Sequence, residues 1–147
     1  MIKQIFEHKK RFLHLLLLAD EQEDMIDQYL ERGEMFVLEI DGEVKALCVV
    51  TNEGEGVFEI KNLAVKPSEQ RKGYGKRLVQ FVCEHYKNKG HTMLVGTGDS
   101  PLTIPFYQAC GFTISHQIDD FFIRHYDQPI YEGGKQLIHM IILKKTL

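Results

Sequence analysis

Val57-Phe58-Glu59-Ile60-Lys61-Asn62-Leu63-Ala64-Val65 leads within a few residues into Gln70-Arg71-Lys72-Gly73-Tyr74-Gly75-Lys76-Arg77, and this stretch decides how the chain reads. The first part is rich in apolar and β-branched residues and predicts a strand over 57–65, broken by Pro67 and Ser68. Beyond it, Leu78, Val79, Val82 and Tyr86 recur at helical spacing, so a long helix is expected over 72–89, with Gly90 ending it. A helix start presents unpaired N–H groups and the positive end of its dipole. Gly73 and Gly75 let backbone approach an anion closely, and Arg71, Lys72 and Lys76 add positive charge at the same point. A strand, a glycine turn and a helix in this order suit a pyrophosphate. The third glycine of a dinucleotide-binding fingerprint is missing, and so is the Gly-Lys-Ser/Thr ending of a P-loop. What remains is Q-x-x-G-x-G, placed after a strand and before a long helix.

Charge distribution supports the same point. The 147 residues carry a formal net charge of -3, which argues against a nucleic-acid-binding domain. That value averages unlike regions: residues 1–60 hold 6 Lys/Arg against 14 Asp/Glu, residues 61–89 hold 8 against 2, and residues 90–147 hold 4 against 5. The basic excess falls on the glycine turn and its helix, as a small anionic partner would require. With 44% apolar residues the chain can bury a core and form one domain, 1–147. No stretch approaches the roughly 20 apolar residues that span a bilayer. Lys9-Lys10-Arg11 before the run 12–19 superficially resembles a signal peptide, but His14 interrupts the run, Asp20 and Glu21 follow, and no cleavage site appears. Cys48, Cys83 and Cys110 are odd in number and far apart, which fits buried thiols of a cytoplasmic protein. The seven histidines show no metal-ligand spacing, so no metal is expected.

The rest of the chain supplies the frame. Residues 2–5 read as a short strand, 7–18 as a helix with a buried Leu-rich side, and 22–32 as a second helix capped by Asp20 and stopped by Gly33. Met35–Ile40 and Val44–Thr51 flank Asp41-Gly42, a strong hairpin signal, and Glu53–Gly56 forms the next turn. A short strand is expected over Met93–Gly96. A short helix should run from a Thr103 cap to Cys110, with Pro105 in its first turn and Gly111 at its end. Strands are expected over Phe112–Ile118 and Leu137–Leu143. Antiparallel strands first, then a strand–helix–strand crossover, give a mixed α/β (α+β) sheet with helices on its faces.

On these residues the chain resembles the GNAT superfamily of acyl-CoA-dependent N-acyltransferases over about residues 34–143. Glu59–Val65 is similar to the family's fourth strand, Gln70–Gly75 to its pyrophosphate loop, and Phe106-Tyr107-Gln108-Ala109-Cys110-Gly111-Phe112 to its later aromatic-glycine motif. The resemblance implies the GNAT fold: a central, mostly antiparallel sheet with flanking helices and a splayed strand pair that holds coenzyme A. It implies acetyl-CoA as donor, its pantetheine arm along Leu63, Ala64 and Val65 and its pyrophosphate on Gln70, Arg71, Lys72, Gly73, Tyr74, Gly75 and Lys76. Asp99 or Ser100 stands where many members place an asparagine near the cofactor, and Ser100 is taken as the contact. Glu59 and Tyr107 stand where relatives place a general base and a general acid. Both proton transfers make chemical sense, since the attacking amine must lose a proton and the leaving sulfur must be protonated.

Segment 119–134 joins carboxylates to aromatic residues and is the expected acceptor side, with Asp119, Asp120, Phe122, His125 and Tyr126 facing a small-molecule or peptide amine. The resemblance also implies a homodimer as one assembly, since relatives often pair through their last strands. A non-catalytic acyl-CoA sensor on the same fold is the alternative. It would bind coenzyme A yet be indifferent to Glu59→Gln and Tyr107→Phe.

Overall fold

The computed structural model describes residues 1–147. Nine strands and five helices follow the chain: β1 (Ile2–Ile5), α1 (Leu13–Ala19), α2 (Glu23–Asp27), β2 (Glu34–Ile40), β3 (Glu43–Gly54), β4 (Val57–Val65), α3 (Tyr74–Tyr86), β5 (Thr92–Gly98), α4 (Ile104–Ala109), β6 (Thr113–Ile118), α5 (Phe121–His125), β7 (Tyr131–Glu132), β8 (Lys135–Gln136) and β9 (Met140–Thr146). Single 3₁₀ turns at Lys9–Phe12 and Pro67–Glu69 complete the list. No helix is long and apolar enough to cross a membrane. Seven strands form one sheet in the order β1-β2-β3-β4-β5-β9-β6, and β7 pairs with β8 alone. Every pair in the large sheet is antiparallel except β4 with β5. The expected mixed sheet with flanking helices is present.

The hairpins form for the anticipated reason. Asp41 and Gly42 both take positive φ (54° and 78°), the twist a two-residue turn needs between β2 and β3. Strand β4 keeps its expected bounds and carries the detail that shapes the molecule. Its register against β3 slips between Val50↔Ile60 and Val49↔Asn62, so Lys61 is an extra, bulged residue. A bulge reverses the alternation of side chains. Phe58 and Ile60 therefore pack in the core beneath α3, with Phe36, Leu78, Val82 and Tyr86. Ala64 packs in the core on the opposite face, with Leu15, Leu16, Ile26 and Leu30 from the N-terminal helices.

Several boundaries differ from the sequence reading. The helix expected over 7–18 is a 3₁₀ turn followed by α1, and the one expected over 22–32 shrinks to the five residues of α2 with turns to Gly33. Lys9 is the cause of part of this. It is 8% exposed, and its ammonium donates to the carbonyls of Leu30, Glu31 and Gly33 at 3.3, 3.3 and 2.6 Å, satisfying the chain where the helix has stopped. Asp20 does not cap α2. Gln22 holds that position, and the Asp20 carboxylate accepts hydrogen bonds from two tyrosines instead. Helix α3 begins at Tyr74, later than expected, because Gly73 at its start is left-handed (φ 84°). The last strand runs 140–146 and not 137–143, since Leu137 and Ile138 donate to Ile130 and to the Asp99 carboxylate.

Candidate active site

The site begins where the sheet comes apart. β4 and β5 pair only over Val57–Ile60 and Thr92–Val95. Beyond that point β4 stays with β3 to Val65, while β5 stays with β9 to Gly98. The bulge at Lys61 falls at the parting. The edge of β4 that faces β5 thus has no strand partner from Lys61 to Val65, and its peptide groups look into a cleft of about 300 Å³. Ile60–Val65 and Val95–Gly98 form its two walls, with Gln70, Thr103 and Tyr107 at one end and residues of α1, α5 and the β7 region at the other.

At the first end lies the glycine turn. Arg71 and Gly73 are both left-handed (φ 67° and 84°). This curls the backbone so that the N–H groups of Arg71 to Lys76 donate to no other residue of the chain. Six free donors at a helix start form a concave anion site. Gly73 is there for its conformation, since an added Cβ would meet nothing within 4 Å. Gly75 is there for closeness, since its Cβ would lie 3.3 Å from the Phe106 ring and 3.6 Å from Val65. The Gln70 amide donates to the Val65 carbonyl (3.4 Å), tying the turn to the strand end. Lys72 is engaged by Glu69 at 2.6 Å, and Glu69 also holds Lys45. Arg71 and Lys76 have no carboxylate partner and remain the free cations of the turn.

Tyr107 of α4 is 7% exposed and lines the cleft. Burial pushes its phenol well above the ordinary value, so it stays protonated. Its ring packs against Phe106 and Phe112. Thr103 holds the N-cap position expected for it, but its hydroxyl shares a hydrogen bond with Thr97 of β5 and does not cap the helix. Glu59 sits within the paired part of β4, opposite Thr51 and Leu94. Its carboxylate is 2.9 Å from the Lys61 ammonium, and Lys61, not Glu59, lines the cleft.

Of the expected cofactor residues, Leu63, Ala64, Val65 and Gln70 line the cleft, and 71–76 form the turn beside it. Ser100 does not belong with them. It is 1% exposed, accepts from the Leu102 N–H and donates to Glu132, so its hydroxyl is spent holding the loop. Asp99 is likewise occupied, by the Ile138 N–H and Lys135.

The acceptor-side residues divide. Phe122 and Tyr126 line the cleft, their rings stacked at 5.4 Å. Asp119, Asp120 and His125 point elsewhere: Asp119 binds Gln117, Asp120 starts α5 beside His139, and the His125 ring lies on Phe121 outside the cleft. The carboxylates that do line it are Asp20, Glu21 and Glu132. Asp20 Oδ1 accepts from Tyr126 (2.6 Å) and Oδ2 from Tyr29 (3.0 Å), and the Tyr29 oxygen in turn accepts from Asn62 (3.1 Å). Burial raises the Asp20 carboxyl, the tyrosine bonds offsetting it in part. Burial, helped by the charge of Glu21, also raises Glu132 against the bond from Ser100. Sequence reasoning took Asp20 for a helix cap and passed over Asn62 and Tyr29. The signal available was a pair of acids directly after an apolar helix.

A sequence model described as the acetyltransferase (GNAT) family matches residues 2–112. The chain is 44% identical, over 88% of its length and 84% of the relative's, to the uncharacterized N-acetyltransferase YvbK of Bacillus subtilis (strain 168). Among solved structures it is similar to a Bacillus subtilis acetyltransferase in complex with CoA, with a TM-score of 0.91, 40% identity, and 99% and 97% of the two chains covered. It is also similar to a GNAT family acetyltransferase from Elizabethkingia anophelis with acetyl-CoA bound, with a TM-score of 0.95, 34% identity, and 100% and 97% covered. A parted strand pair opening onto a glycine-rich helix start, within a chain this similar over its whole length, places the protein in the GNAT family of N-acetyltransferases.

Proposed function

We propose that this protein moves an acetyl group from acetyl-CoA directly to a primary amine of a small molecule or peptide. The reading rests above all on the parting of β4 from β5 beside six unpartnered N–H groups: an extended arm fits the open strand edge, and a pyrophosphate fits the turn. The donor set suits coenzyme A, since Arg71 and Lys76 lack carboxylate partners and face an anion freely. The structures of relatives with CoA and acetyl-CoA support the same choice. When bound, acetyl-CoA supplies an activated acetyl group as a thioester.

The chain's residues then manage two protons. Tyr107, buried and protonated, supplies one to the departing sulfur. Glu59, near the end of the paired part of β4 before the parting and held by Lys61, takes one from the amine through water that reaches it from the cleft. The buried cysteines take no part, and burial pushes the Cys48 thiol up and away from reactivity. Cytoplasmic, thiol-reducing surroundings agree with three free cysteines.

The test is release of CoA thiol, followed with a chromogenic disulfide, from acetyl-CoA and a panel of amines. Tyr107→Phe and Glu59→Gln should each lower kcat about 10²–10⁴-fold, with acetyl-CoA binding retained. Tight acetyl-CoA binding together with no effect of either variant would make this a sensor and not an enzyme. Full activity of Glu59→Gln alone would remove Glu59 from the mechanism.

A further inference from the structure

Nine of the 21 carboxylates in this protein are answered by a cation. Glu23, Asp27, Glu39, Glu43, Glu53, Glu59, Glu69, Glu84 and Asp99 each lie within ion-pair distance of a lysine or arginine. The three that line the cleft, Asp20, Glu21 and Glu132, have no such partner. The single cation among the lining residues, Lys61, is committed to Glu59. Two aromatic rings, Phe122 and Tyr126, stand beside these acids. Asn62 of β4, 3% exposed, also lines the cleft and carries the one buried side-chain polar atom left without a hydrogen bond, its Oδ1. This end of the cleft therefore offers negative charge and aromatic faces beside an unpartnered buried amide oxygen, and the chain supplies no cation to meet them.

A reacting amine does not explain this. It must be neutral to attack, and surrounding carboxylates favour its protonated form. Several unanswered acids around a nucleophilic nitrogen would slow the reaction, unless they hold something else. Resting on the acetyl-transfer reading above, we propose that the acceptor carries a second, non-reacting positive charge, as a di- or polyamine does, and that Asp20, Glu21 and Glu132 hold this charge while the other nitrogen reacts. Tyr29 and Tyr126 fix the Asp20 carboxylate so that it meets the cation without reorganising. Phe122 and Tyr126 add ring faces, which attract ammonium groups.

The experiment compares kcat/KM for 1,4-diaminobutane and spermidine with that for n-butylamine at fixed acetyl-CoA and low ionic strength. The diamine and triamine should exceed the monoamine at least tenfold, through KM. Glu21→Gln and Glu132→Gln should each shrink that ratio several-fold by raising KM for the diamine more than for butylamine. Asp119→Asn, an exposed acid outside the cleft, should leave the ratio as it is. Equal use of mono- and diamine, or an equal effect of the two variants on both substrates, overturns the proposal while leaving acetyl transfer intact. Failure to acetylate any amine, despite acetyl-CoA binding, overturns the acetyl-transfer reading and this inference with it.

Discussion

Replacing Lys9 with methionine isolates one buried cation. Methionine keeps most of the apolar stem and removes the ammonium that serves Leu30, Glu31 and Gly33. None of these three carbonyls receives a backbone donor. The 2.6 Å bond to Gly33 is a full charge-assisted hydrogen bond, worth about 1.5–3 kcal/mol, and the two at 3.3 Å add less. The loss should total about 2–4 kcal/mol, a large share of the roughly 5–15 kcal/mol that holds a domain folded. For a chain of this size that is a fall in Tm of about 5–15 °C. Thermal unfolding followed by circular dichroism measures it, with Lys10→Met as the comparison. Lys10 makes two short ion pairs, to Glu23 and Asp27, yet sits at the surface, so its loss should matter much less. A Lys9→Met protein that melts within a degree of wild type, or no lower than Lys10→Met, would refute the assignment of Lys9 as the internal cap of residues 30–33.

The two turn glycines should fail differently: Gly73→Ala should cost about 1 kcal/mol through its positive φ alone and weaken CoA binding in calorimetry, while Gly75→Val should disturb packing against Phe106 and lower Tm. Asp99 and Glu132 should respond to pH with opposite signs in urea denaturation. Burial alone would raise Asp99, but bonds from Ile138 and Lys135 outweigh it and hold the carboxyl below its ordinary value. Its stabilisation is complete above the unfolded value of about 4 and fades as pH falls further, so Asp99→Asn should flatten the acid limb. Glu132 is raised, so folding binds its proton more tightly and stability drops as pH climbs above about 4. Glu132→Gln should abolish that drop. Asp20→Asn should loosen the Tyr29 and Tyr126 hydroxyls and raise KM for the amine more than it changes affinity for CoA.

How far the sequence could be read depends on how far apart the cooperating residues lie. Strand β4, the glycine turn and α3 are contiguous, and their period, their glycines and their charge all speak within about thirty residues. Both bounds of β4 are legible for that reason. The proposed acceptor end draws on Asp20, Tyr29, Asn62, Tyr126 and Glu132, which meet only after the sheet has formed. Reading 119–134 by composition put Asp119, Asp120 and His125 in the site with Phe122 and Tyr126. Only Phe122 of the short α5 and Tyr126 just after it turn inward. Lys9 shows the same limit from the other side. In sequence it belongs to a basic triplet that looks solvated, and nothing local marks it as the one whose ammonium goes inside. The bulge at Lys61 was equally silent, because an inserted residue in a strand changes the phase of its alternation without changing its composition.

An ordinary open sheet has two bare edges; this one has four, because the parted strands leave one more on each side of the cleft. Bare edges invite pairing with stray chains, and proteins cover or blunt them. On the acetyl-transfer reading, the arm of acetyl-CoA would do the covering here. A donor that completes the hydrogen bonds of Leu63–Val65 binds the folded chain and not the unfolded one. At a hundred times its dissociation constant it would add about 2.7 kcal/mol to stability. Those amide hydrogens of the segment that point away from β3 should then exchange more slowly when acetyl-CoA is plentiful, so that the persistence of the fold follows the supply of the substrate it consumes.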